Sequence, residues 1–209
     1  MKLCRPVSSL GWCLALMLCI CSIAGCVTEA PGFSNSQYEP GQVLIMGHVV
    51  TVLTGERARK FEPAVRDIEL LAQPAGRRYR VSIDGDTQRL ATFLPPGRYE
   101  LTRVKIHEGP FLSIAQVSSS FSVQAGPPVF VGTWRFGLDS PRYGRRVAVS
   151  IVSDEEARQK AEKEIQETHP DRGGAPPVTV IPEPAEMEAR LYEVAPYPRI
   201  SRYFRRHYW

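Results

Sequence analysis

Cysteine is absent beyond residue 26: Cys4, Cys13, Cys19, Cys21 and Cys26 are all the chain has in 209 residues. A disulfide scaffold or a thiolate zinc site in the remainder is therefore excluded. Histidine is scarce as well, with His48, His107, His169 and His207 only, too few and too scattered for a His-rich metal centre. No sign of charge dominates: 26 basic residues face 22 acidic ones, a formal net charge of +4. A general nucleic-acid role would call for a broad basic face, and the balance argues against one. Lysine is rare too, so the basic residues are mainly arginine. No G-x-S-x-G elbow, P-loop, G-x-G-x-x-G or H-E-x-x-H motif occurs. With no catalytic set and no cofactor motif, a non-enzymatic protein that needs no cofactor is the expectation.

What is there begins with an address. Lys2 and Arg5 form a basic start, Leu10 to Ile20 is an almost unbroken apolar run, and the small residues Ala24 and Gly25 stand before Cys26. An apolar run this short, in this tripartite order, reads as a secretory signal over residues 1–25 rather than as a membrane span. Its removal takes away Lys2 and Arg5 and no acid.

Ile23-Ala24-Gly25-Cys26 resembles the lipobox of bacterial lipoproteins. The resemblance implies cleavage before Cys26, acylation of its thiol and a membrane partner reached through the lipid. Two or more acyl chains give durable anchoring where one gives only marginal binding. In that class an Asp after the cysteine favours inner-membrane retention. Val27 stands there, which implies the outer membrane, with the protein facing periplasm or surface. Residues 26–41 then read as the lipidated cysteine and a polar tether, typically spanning about 20 Å.

Residues 42–152 carry the strong pattern, and it is β. Arg78 to Ile83 alternates, placing Tyr79, Val81 and Ile83 on one face and Arg78, Arg80 and Ser82 on the other. Asp84-Gly85-Asp86 is hairpin-turn chemistry rather than a calcium loop, which needs six to eight oxygen ligands. Strands are expected at Val43–Leu53, Ile68–Leu71, Arg78–Ile83, Gln88–Leu94, Arg98–Ile106, Phe111–Val117, Ser120–Gln124, Val129–Phe136 and Arg146–Val152. Turn signals at this spacing fit an immunoglobulin- or transthyretin-like antiparallel β-sandwich.

Leu94-Pro95-Pro96-Gly97-Arg98-Tyr99-Glu100-Leu101 is similar to a corner of carboxypeptidase-regulatory-like and PEGA-like sandwich domains. That resemblance implies that Gly97 turns the chain and Tyr99 enters the core. Phe121 to Gly126 followed by Val129 to Gly132 resembles a later strand pair of small bacterial envelope lipoproteins of that shape. Such motifs are turns rather than chemistry and speak only to fold.

Ser153-Asp154-Glu155-Glu156 reads as a capping box with Ser153 as N-cap, opening a helix over residues 153–168 with Ala157, Ala161 and Ile165 as its apolar stripe. Residues 169–198 hold seven prolines from Pro170 on and read as an extended linker, with Met187, Leu191 and Val194 as one short helical face. The tail, 199–209 (RISRYFRRHYW), gathers Arg199, Arg202, Tyr203, Phe204, Arg205, Arg206, His207 and Trp209. Three readings stand open for it: a disordered basic tail, docking of Ile200, Tyr203 and Phe204 onto the domain, or contact with an anionic lipid or acidic envelope protein through forked arginines and interfacial aromatics. Trp209, His207, Arg205 and Tyr203 do not make an apolar lipid-facing row, so a barrel-closing strand is rejected.

Three smaller features complete the reading. Trp134, Phe130 and Phe136 share a strand parity and fill a core; the alternative is Trp134 with Tyr143 stacking on cell-wall glycan. His107 and Glu108 read as a solvent-facing pair at a strand end, and Arg145-Arg146 as a solvated strand start. The functional expectation is a lipid-anchored, non-enzymatic binding or structural module of the cell envelope. Glycan or peptidoglycan recognition is the alternative, and a hydrolase a third.

Overall fold

In the computed structural model of the chain, residues 27–33, 39–54, 61–139, 145–169 and 175–194 are described. Among them are β1 (Val27–Glu29), β2 (Val43–Leu53), β3 (Pro63–Gln73), β4 (Arg78–Ser82), β5 (Arg89–Leu94), β6 (Gly97–Glu108), β7 (Phe111–Val123), β8 (Val129–Leu138), β9 (Arg146–Val152), α1 (Glu155–Thr168), β10 (Val178–Thr179) and β11 (Glu186–Val194). The described residues are mainly β with one helix, as the alternating sequence predicts.

The expected antiparallel sandwich is replaced by one mixed, strongly curled sheet, a half-barrel with strand order β1-β4-β3-β6-β7-β11-β9-β8-β2-β5 and β10 beside β8. Two neighbouring pairs on that path, β1/β4 and β2/β8, are parallel. Strand β11 makes the sheet continuous. Its residues Glu186 to Arg190 pair with β9, and Leu191 to Val194 pair with β7. The two outer edges also meet: Gly32 bridges Thr92 and Ile83 bridges Leu90. The Pro31 carbonyl accepts from Thr92 Oγ1 at 2.9 Å and from the Phe93 N–H at 3.3 Å.

Three expectations are corrected here. Val27 to Gly41 is no free tether, because Val27–Glu29 is a strand and Ala30 and Phe33 are buried. Residues 169–198 are no plain linker either, since β10 and β11 lie inside them. The helical face assigned to Met187, Leu191 and Val194 gives way to a period of two, in which Met187, Ala189 and Leu191 turn toward the core. Its prolines, Pro182 and Pro184, precede β11, where a missing N–H breaks no ladder bond. Third, the serines at 118–120 do not interrupt β7. Ser119 is fully buried with its hydroxyl donating to the Pro184 carbonyl at 2.8 Å, and Ser118 Oγ donates to Glu100 at 2.8 Å.

The main core fills the concave side, with Trp134, Phe136, Tyr99, Ile45, Leu70 and Leu101 among its fully buried members. Each such side chain stabilises by about 1.5–3 kcal/mol through the apolar surface it removes from water. A second cluster (Leu44, Met46, Phe93, Phe130, Ala161, Ile165) lies between the sheet and α1. Phe130, Trp134 and Phe136 are all buried, but Phe130 sits in the helix-side cluster and the other two in the main core. A bulge separates them: Met46 and Phe130 are partners, then His48 and Thr133, so β8 holds one extra residue and its facing reverses. Gly132 occupies the bulge at φ +84°, and a Cβ there would stand 2.7 Å from the Val152 carbonyl oxygen.

The strands define two ends. At the basal end lie Val27, the β3–β4 turn (residues 74–77) and the 95–96 and 124–128 connections. At the distal end lie the Asp84-Gly85-Asp86 turn, the Gly109-Pro110 turn and the last residue of β11, Val194.

Candidate functional site

The helix begins one residue later than the capping box implies. Asp154, not Ser153, is the N-cap, and its Oδ1 accepts the Ala157 N–H at 3.0 Å. Asp154 Oδ2 also accepts from Thr133 Oγ1 at 3.1 Å, which ties the helix start to β8. The backbone bond from Ala157, then Thr133, and the charges of Arg135 and His48, hold the Asp154 carboxyl below the usual range despite its partial burial.

Ala161 and Ile165 lie against the sheet, and the C-terminal half of α1 is pinned at two points. Arg89 Nη1 donates to Glu164 at 3.0 Å while its guanidinium lies 4.5 Å over the Phe33 ring. His169 is buried edge-on to Phe33 and Phe93, its Nε2 donating to the Phe33 carbonyl at 2.9 Å. Between α1 and strands β2, β5 and β8 a groove of about 280 Å³ remains. Its floor is Met46, Phe130 and Ala161; its rim carries His48, Arg89, Lys160, Asp154, Glu156 and Glu164. Asp154 and Glu164 are already committed to the bonds that hold the helix, which leaves His48, Glu156, Lys160 and Thr87 to face a ligand. A mixed-charge rim over an apolar floor suits weak binding of a small amphipathic group.

The convex face of the other half carries a second polar constellation. Glu29 on β1 stands in register with Arg80 on β4, Arg80 with Glu69 on β3, and Glu69 with Arg103 on β6. Charge thus alternates across four strands, the arrangement in which cross-strand neighbours attract. Glu69 is only 2% exposed; Arg103 Nη1 lies 3.1 Å from its Oε2, and Lys105 Nζ lies 3.8 Å from Oε1. The long arginine and lysine stems cover the carboxylate that their heads neutralise.

The solvent-facing reading of Glu108 and Arg145 is corrected. Glu108 is buried and Arg145 Nη1 reaches it at 2.9 Å, joining the end of β6 to the start of β9. Arg146 is solvated as expected, paired at 2.8 Å with the exposed Glu188. Asp84 and Asp86 form the expected turn: the N–H groups of Asp86 and Thr87 donate to Asp84 Oδ1 at 3.0 and 3.4 Å. These bonds lower the Asp84 carboxyl, the Asp86 backbone contributing most.

Trp134 is withdrawn from any glycan-stacking role. It is 1% exposed, and its indole N–H donates to the Val131 carbonyl at 2.7 Å. Tyr99 enters the core from the 94–101 corner as the resemblance implies; its hydroxyl donates to the Pro95 carbonyl at 2.5 Å, and burial pushes the phenol well above its ordinary range. Cys26 and Tyr143 lie outside the described residues, as do the tail residues Arg199, Arg202, Tyr203, Phe204, Arg205, Arg206 and Trp209. The described residues Val27 and Val194 lie at opposite ends of the sheet.

Glu69 and Glu108 were not legible as buried charges. Their partners Arg103 and Arg145 lie 34 and 37 residues away in sequence, and only the strand order brings them together. The chain matches no protein-family model, no curated protein and no solved structure.

Proposed function

We propose that this chain is a lipid-anchored, non-enzymatic binding or structural module of the bacterial cell envelope, held in the outer membrane through acylated Cys26. The observation that carries the reading is the run Leu10 to Ile20 ending in Ile23-Ala24-Gly25-Cys26, with a folded strand starting at the next residue. Cleavage before Cys26 would leave every described strand intact, since the sheet starts at Val27. The groove beside α1 and the basic, aromatic tail are the surfaces through which such a module would meet its partner. Fractionation tests the anchor: wild-type protein should pellet with membranes and Cys26→Ser should become soluble. Full retention of the variant in the pellet would end this reading.

A second reading, recognition of cell-wall glycan, keeps support from Tyr192 rather than Trp134. Tyr192 is 54% exposed, lies across from Ile114 on β7 and sits 5.5 Å from the Arg190 guanidinium. Exposed aromatic faces stack on sugar rings. Sedimentation with purified cell wall, lost in Tyr192→Ala, is the outcome this reading expects.

A further inference from the structure

The strand pairing at Val27 sets how an anchored domain would stand. This inference rests on the lipid-anchored reading above. Consecutive Cα atoms are about 3.8 Å apart, so a lipid on Cys26 would be attached one residue from β1 and would restrain how the domain tilts. Val27 is in register with Arg78, Leu71 with both Arg78 and Glu100, and Gln73 with Arg98. The basal end therefore presents three exposed arginines: Arg77, Arg78 and Arg98. Between them projects the exposed Pro74-Ala75-Gly76 turn.

Acids near this end include Glu39, which faces Arg77, Glu100, which already accepts from Gln73 Nε2 at 2.8 Å and Ser118 Oγ at 2.8 Å, and the exposed Glu183, whose backbone bridges Ser120. Arg98 spends one donor on Ser120 Oγ at 3.2 Å. A guanidinium has five donors in a fixed fork that matches phosphate oxygens. At the distal turn Asp84 and Asp86 are exposed, with the Arg66 guanidinium over Gly85 and Arg89 Nη2 3.8 Å from Asp84, so no uncompensated cluster of arginines faces out there.

We propose that the Arg77–Arg78–Arg98 end rests on the phosphates of anionic phospholipid headgroups in the membrane that holds Cys26. The sheet then stands upright. Strand β6 has 12 residues, and at about 3.3 Å per residue it carries the distal end on the order of 35–40 Å from that surface. Val194, the last described residue of β11, lies at that distal end.

The test uses the full lipidated chain, which retains no free thiol once Cys26 is acylated. Ala75→Cys and Asp86→Cys each accept one fluorophore, at the basal and distal turns respectively. Each protein is reconstituted in phosphatidylglycerol-containing vesicles that also carry headgroup-attached quencher lipid, and vesicle flotation is scored in parallel. The label at position 75 should be quenched several-fold more than that at position 86. Replacing Arg77, Arg78 and Arg98 with Gln should narrow the difference, as should phosphatidylcholine vesicles lacking anionic lipid; a difference that neither change alters would mean that the anchor alone orients the domain, and overturns the headgroup contact. Equal quenching at both turns in protein that floats with the vesicles overturns the basal-face inference and leaves the anchor standing. Protein that fails to float overturns the anchor, and the inference with it.

Discussion

Val27 stands directly across from Arg78 in a parallel strand pair, so the chain is in the sheet from its first described residue. The 15 residues from Val27 to Gly41, read from their prolines and glycines as a leash, are instead partly woven into the edge of the domain. Thr28 pairs with Tyr79 and Glu29 with Arg80, and the Ala30 N–H continues the ladder by donating to the Arg80 carbonyl at 2.8 Å. A restrained entry turns a lipid anchor from a loose attachment into an orienting device.

Trp134 is the first test of the interior. With residues 1–25 removed, as we propose, it and Trp209 are the tryptophans that remain, so Trp209→Phe isolates it. Its emission should be blue-shifted and resist iodide quenching until the protein is denatured. Red-shifted, readily quenched emission from the native Trp209→Phe protein would place Trp134 on the surface and reopen sugar stacking.

Gly132 should tolerate no side chain. Its φ of +84° is strained for any L-residue with a Cβ, and the new methyl would press on the Val152 carbonyl at 2.7 Å and Ile181 Cδ1 at 2.9 Å. We expect Gly132→Ala to cost about 2–4 kcal/mol, backbone strain and crowding together. At Gly97 the nearest atom is Tyr99 Cε2 at 3.9 Å, so Gly97→Ala should change stability by under about 1 kcal/mol. Urea unfolding of both variants checks the contrast, and equal effects would contradict the bulge.

Glu69 should matter more than a surface carboxylate. Removing it leaves Arg103 and Lys105 facing each other on β6, with Arg80 in register on the other side. Breaking a fully buried pair costs about 3–5 kcal/mol, and the one-third exposure of Arg103 reduces this to about 2–3 kcal/mol for Glu69→Ala. A double-mutant cycle with Arg103→Ala should show coupling; strict additivity would mean that the ladder is only a solvated face.

The helix cap gives a pH dependence. The folded-state carboxyl of Asp154 is lowered, so its contribution is present above the unfolded pKa of about 4 and fades as pH falls through the folded value. Asp154→Ala should cost about 1 kcal/mol at neutral pH, Asp154→Asn much less, because an amide oxygen still caps. The gap between wild type and Asp154→Ala should narrow below about pH 4. A gap independent of pH would show that the charge plays no part.

The sequence revealed strands wherever alternation was strong and long. Residues 43–53, 78–82, 89–94 and 146–152 form strands as their pattern predicts, and the helix ends at Thr168 as expected. It hid elements whose only signal is a partner. β1 has three residues, and β11 carries a short side chain, Ala189, between Met187 and Leu191, so its period is easily taken for a helical one. Missing β11 meant missing what joins the two halves, so two sheets were expected where one curled sheet forms. The groove beside α1 was invisible for the same reason, since β2, β5, β8 and α1 meet only through strand order. The proposed anchoring at Cys26 rests on a linear signal alone, to which the fold adds no residue.

The most direct measurement is mass spectrometry of the N-terminal peptide of the mature protein from envelope fractions. Our account predicts a chain beginning at Cys26 and carrying acyl mass on that residue. A mature chain that begins elsewhere, or an unmodified Cys26 thiol, would contradict it.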